Sequence, residues 1–188
     1  WVALSFSLLL VTLGNGNRSC GALDNASGVG VVLALAEAIK HSPIPGFRIR
    51  FLFSGGEELG LQGASRFVMR DDDVEKTVVN IDTVGAGNLL WLYGSRGRLR
   101  NGLRQAARRC RQPVVSLPML FGMLADHVPF VRSGKQAITM TLVSPMLRFL
   151  HTERDDSAAF SLESFQGVTR AFEGRACTMA TPALLSVN

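Results

Sequence analysis

Short apolar runs alternate along this chain with amphipathic stretches of helical length, and that alternation restricts the fold more than any other feature. The runs "IRFLF", "TVVNI", "NLLWLY" and "QAITMTL" are short and rich in β-branched and aromatic residues, so they predict strands. Between them lie stretches such as "VGVVLALAEAIK" and "LRNGLRQAARR", whose apolar positions recur at helical spacing. Alternation of this kind builds an α/β fold around a mainly parallel sheet. Strands are expected near residues 3–13, 47–54, 77–83, 88–93 and 136–142, with a further one at 113–118. Helices are expected near 26–41, 60–70, 98–111 and 161–178. With 188 residues, 47% of them apolar, the chain can bury roughly 70% of its unfolded surface in one core. No internal repeat or low-complexity tract divides it, so a single domain over residues 1–188 is expected.

The first residues, "WVALSFSLLLVTL", lack an initiator Met. Their apolar run is too short to span a bilayer and no basic segment precedes it, so a buried strand is favoured over a signal-peptide core, in a chain that has lost its natural N-terminus. Cys20, Cys110 and Cys177 are widely spaced and odd in number, which fits neither a disulfide framework nor a CxxC metal knuckle. The net charge of +5 comes mostly from arginines in "GSRGRLRNGLRQAARRCRQ". There Leu99, Leu103, Ala106, Ala107 and Cys110 share a helical face, leaving Arg98, Arg104, Arg108 and Arg111 outward. Without aromatic or glycine recognition elements this reads as a solvated helix face, so neither a nucleic acid nor a membrane is an expected partner.

Three strand ends carry carboxylates. Asp24, in "GALDNASGVG", follows the first expected strand and its loop; Glu57 and Glu58 follow "IRFLF"; Asp82 ends "TVVNI". Singly, Asp24 reads as a helix N-cap, the Glu pair as a complement to a helix N-terminus, and Asp82 as a turn cap. In an open parallel sheet, however, the carboxyl ends of the strands share one edge. Four acids gathered there repel one another unless a cation neutralises them, and a divalent metal does so, with a histidine expected nearby. Of the three histidines, His41 reads as a helix C-terminal cation. His151, in "LRFLHTERDD" beyond "QAITMTL", returns to the carboxyl edge and is the best ligand candidate. His127, beside Asp126 in "LADHVPFVRSG", is read as a core or supporting residue.

The blocks "GALDNASGVGVVLALAEA", "RFLFSGGEELGLQGASRFV", "VVNIDTVG", "DHVPFVRSG" and "HTERDD" together resemble, in order, those of the zinc aminopeptidase family that also includes relatives of glutamate carboxypeptidase. The resemblance spans about Gly21 to Ala171 and implies a three-layer α/β/α sandwich of zinc-exopeptidase type lacking its N-terminal elements. It implies peptide substrates and, in the family, two Zn²⁺ ions. Carried over residue by residue, Asp24 bridges the ions, Glu58 and His151 complete one shell, Asp82 binds the other ion, and Glu57 is the general base. Gly55 and Gly56 would let substrate backbone approach. Asp126 and His127 fall in the substrate pocket or behind the ligands.

The chain departs from the family at one point. Relatives carry His-x-Asp before the bridging aspartate, with the histidine a ligand of the second ion; counting back from Asp24 puts Thr12 or a neighbour there. Cys20 is the one alternative donor close by. One strong zinc site is therefore expected, with the second weakened or empty. The leading reading is a zinc-dependent aminopeptidase, impaired by the missing ligand. A glutaminyl-peptide cyclotransferase, which resembles the same fold with one zinc held by Asp, Glu and His, is the second, and a non-catalytic relative kept for binding is the third. The resemblance slightly favours a secreted or cell-envelope protein.

Overall fold

A computed structural model describes residues 18–46, 48–70, 77–119, 124–176 and 183–187. The strand expected at 3–13 and the Thr12 position lie outside the described residues. The strands are β1 (Ile49–Phe53), β2 (Thr77–Ile81), β3 (Leu89–Gly94), β4 (Val114–Val115), β5 (Gln136–Val143) and β6 (Ala183–Val187). The α-helices are α1 (Ser27–His41), α2 (Gln62–Arg70), α3 (Arg98–Arg109), α4 (His127–Arg132) and α5 (Leu162–Ala176). The sheet order is β1-β6-β2-β5-β3-β4. The pairings β1–β6, β6–β2, β2–β5 and β3–β4 are parallel, and β3–β5 is antiparallel.

Side chains alternate along β2 and β5 because successive strand residues face opposite ways. Val79 and Ile81 with Ile138, Met140 and Leu142 form the larger core, together with Val31, Val32 and Leu35 of α1, Leu99 and Leu103 of α3, and Val168 of α5. Val78 and Ala137 face the other way, onto Ala64 of α2 and Phe130 of α4. Helices thus cover both faces, which is the expected three-layer arrangement. By length and hydropathy alone Ala22–His41 would pass for a membrane span. Its Val31, Val32 and Leu35 instead pack into the core beneath the sheet.

The expected strands and helices form close to their anticipated limits wherever they are described, with two differences. The strand at 113–118 shrinks to Val114–Val115, since Pro113 and Pro118 beside it cannot donate to a ladder. A sixth strand, Ala183–Val187, was not anticipated; it inserts between β1 and β2. On α3, Leu99, Leu103, Ala106 and Ala107 are buried as expected. Arg104, expected outward, is half-buried, because four buried positions on a short helix draw the flanking residues toward the sheet.

Candidate metal centre

Three loops at one edge of the sheet bring the site together. The first is a wide turn, Ala22–Ala26, in which Asp24 and Asn25 leave helical geometry before α1 begins. Asn25 pins it to the end of β2: its Nδ2 donates to Ile81 O at 3.0 Å, and its Oδ1 accepts from Thr83 N at 3.1 Å and Gly28 N at 3.0 Å. Gly28 is required here, because a Cβ would stand 2.6 Å from Ile81 O, a backbone atom that cannot move aside. The second loop runs from β1 into α2. Leu61 N donates to Glu57 O at 2.8 Å, Gln62 N to Gly56 O at 3.0 Å and Gly63 N to Gly55 O at 2.9 Å, which folds the Glu57-Glu58 pair back over the strand end. The third loop follows β5 and carries His151.

These loops are held in strained backbone. Leu61, Thr83 and His151, one in the second loop, one after Asp82 and one in the third, have positive φ of 60°, 54° and 61°. Non-glycine residues rarely adopt such values, and where they do the surroundings enforce them. Gly55, expected to admit substrate backbone, is exposed with open space where a Cβ would be.

Asp24, Glu58 and His151 converge. One donor atom from each lies within 4.8 Å of the others. His151 Nε2 is 3.7 Å from Asp24 Oδ2, and His151 Nδ1 is 3.4 Å from Glu58 Oε1. An ion takes one ring nitrogen only, so the two distances mark the imidazole's place between the carboxylates, and the oxygen-oxygen-nitrogen donor set is of the kind that holds zinc. Asp82 is not part of this trio. It sits at the end of β2, where Thr83 Oγ1 donates to its Oδ1 at 3.1 Å and Thr141 Oγ1 to its carbonyl at 2.7 Å. Cys20 is exposed and likewise outside the trio.

The carboxylates feel one another. Burial pushes Glu57 up to about 8, helped by the charges of Glu58, Asp82, Asp126 and Asp24. Asp82 is pushed up to about 7 by burial and then by Asp24. Asp24 rises to about 6 through burial and Glu58, although His151 opposes the rise. The edge is therefore short of positive charge, as the sequence pattern implied.

Asp126 and His127 open α4 rather than joining the trio. Both are buried; Ser54 Oγ donates to Asp126 Oδ2, while Asp126 Oδ1 has no partner among the described residues. His127 Nδ1 pairs with Thr139 Oγ1 at 2.8 Å, its ring meets Tyr93 edge-on, and burial pulls it down to about 4. His41 pairs with Glu37 on the exposed face of α1, outside the donor trio. Two residues that the sequence reading passed over belong to the site's frame: Asn25, and Asp155, whose buried carboxylate accepts backbone N–H groups from the Asp24 turn. Gly28 apart, the partners of these side chains lie 56 to 132 residues away, which no local spacing signals.

Residues 10–174 match peptidase family M28. Aminopeptidase YwaD of Bacillus subtilis (strain 168) is 30% identical over 162 residues, which is 79% of this chain and 35% of that protein. The alkaline phosphatase isozyme conversion protein of Escherichia coli K12 is 41% identical over 89 residues, 45% of this chain and 25% of that one. The structure of BSAP, a zinc aminopeptidase from Bacillus subtilis, superposes with a TM-score of 0.69 at 25% identity, covering 89% of this chain and 44% of that chain. The chain thus spans between a quarter and under half of the length of these relatives. The family match takes in the Asp24 turn, the Glu57-Glu58 loop, Asp82 and His151 in order, and on its extent the chain belongs to peptidase family M28.

Proposed function

We propose that this chain forms the zinc-binding part of an aminopeptidase that removes N-terminal residues from peptides. The convergence of Asp24, Glu58 and His151 on one point, with Glu57 beside Glu58, carries the reading. Asp24, Glu58 and His151 would hold the ion. When bound there, zinc supplies Lewis-acid polarisation of a carbonyl and a nucleophilic water at neutral pH.

Glu57 accepts a proton from the attacking water as the bond to the carbonyl carbon forms. It returns that proton to the amine as the peptide C–N bond breaks. In the metal-free chain burial and four other acids hold Glu57 protonated near neutrality, and a cation bound beside it would lower its proton affinity and free the carboxylate to act as base. Asp82 offers one carboxylate toward a second ion but lacks a described histidine beside it, so one strongly held zinc per chain is our assignment.

A glutaminyl-peptide cyclotransferase is the second reading. It is favoured by the three-donor cluster and by buried Asp126 with its unpartnered oxygen. Elemental analysis of the purified protein, before and after His151→Ala, tests the site: one zinc per chain, lost in the variant, is expected. Hydrolysis of an aminoacyl anilide, against cyclisation of a peptide with N-terminal glutamine, then separates the two activities. A folded wild-type chain without zinc would overturn both.

A further inference from the structure

We propose that Asp155 is the positioning residue that fixes the Asp24 turn against the His151 loop, so that their side chains face one cation. The proposal rests on the zinc reading above and concerns a residue to which that reading gives no role.

Asp155 is fully buried, four positions beyond His151 in the same loop. Its Oδ1 accepts the Leu23 N–H at 2.6 Å and its Oδ2 the Asp24 N–H at 3.3 Å. Its backbone takes part as well: the carbonyl accepts from Ala22 N at 3.4 Å, and its N–H donates to Thr152 O at 3.1 Å. One residue therefore grips three successive residues of the turn that carries Asp24, while tied into the loop that carries His151.

The side chain is suited to this hold. Two consecutive backbone N–H groups are met by two oxygens of one carboxylate, which neither Asn, Ser nor Thr can supply. Burying a charge without a cation is costly unless it is hydrogen-bonded, and no ion pair reaches Asp155 among the described residues. A second negative charge behind Asp24 also adds to the repulsion in the cluster. A carboxylate is explained if both of its oxygens are needed to align Asp24, as partners behind metal ligands do.

The test is Asp155→Asn, which keeps the shape but only one acceptor oxygen. Zinc affinity is read by chelator competition, and hydrogen exchange at Leu23 and Asp24 is read in the metal-free protein. We expect zinc affinity to fall about ten- to a hundredfold and exchange at both amides to quicken. In an Asp24→Asn background the same substitution should cost no further affinity, whereas in a Glu58→Gln background its cost should persist. That pattern separates positioning of Asp24 from general destabilisation, even if the variant melts at a lower temperature. Unchanged zinc affinity, or equal losses in both backgrounds, overturns the proposal. If the wild type itself takes up no zinc, the metal reading fails, and unaltered exchange at Leu23 and Asp24 would then overturn Asp155's hold separately.

Discussion

Glu57 stands closest to the chemistry while lying outside the donor trio. Its proton affinity is raised because it is buried among Glu58, Asp82, Asp126 and Asp24. Glu57→Gln keeps the size and removes the base, so anilide hydrolysis should fall by about 10²-fold or more, with zinc content unchanged. Loss of zinc in that variant would move Glu57 into the ligand set. His127 makes a different prediction, on stability. It titrates near 4 when folded against 6.5 when exposed, so as pH falls the unfolded chain takes up the proton first. Its contribution is fully present above pH 6.5 and is lost as pH falls from 6.5 toward 4. Between pH 7 and pH 5 the wild type should lose about 2 kcal/mol more than His127→Asn, which does not titrate there, as measured by urea unfolding at the two values. Asp24, Glu58 and His151 were legible because each sits just past an apolar run or its loop, where the fold class fixes direction. Asn25 and Asp155 were not, because their work is hydrogen bonding to distant backbone, and neighbouring Asp156 has the same side chain with a merely local job, accepting from Ala158 N at 2.9 Å.

At the scale of elements, the helices were read correctly where one face had to be apolar. The described strands were read where a run was bounded by turn residues. "ALLSV" after Pro182 escaped because four apolar residues in a run of five near a chain end carry no period, and only the gap between β1 and β2 makes them a strand. Arg104 escaped because amphipathic periodicity predicts a face, not how deeply its margin sinks. Two substitutions test how elements position the site. Leu103 of α3 is buried in the larger core, and Leu103→Ala should cost about 2–5 kcal/mol in urea unfolding without altering zinc affinity, since it leaves a cavity and removes none of the hydrogen bonds that hold the Asp24 turn. Gly28 is different. Its missing Cβ lets α1 approach Ile81 O, and the same residue anchors Asn25. Gly28→Ala should cost roughly 1–3 kcal/mol through overpacking and should weaken zinc binding as well, because α1 must shift and the Asp24 turn with it. If the two variants affect zinc equally, the coupling between α1 and the site is not through Gly28.

For the whole molecule, the site is a junction. Asp24 comes from the turn before α1, Glu58 from the β1–α2 loop and His151 from the loop after β5, and in sequence they are spread over most of the described chain. An unfolded chain cannot present these donors together, so an ion that they bind favours the folded state alone. Its effect on stability is then set by mass action: at zinc a hundred times its dissociation constant the gain is about 2.7 kcal/mol. The metal-free junction starts from an unfavourable position, since Asp24, Asp82 and Glu57 each resist ionisation there. Thermal melting of the stripped protein should therefore shift upward on adding zinc, and further with each rise in concentration. The shift should vanish in His151→Ala, which deletes one donor from an exposed loop and leaves the core intact. In Asp82→Asn it should persist, because Asp82 lies outside the trio. A shift lost in Asp82→Asn but kept in His151→Ala would place the strong site on the Asp82 side of Asp24 instead.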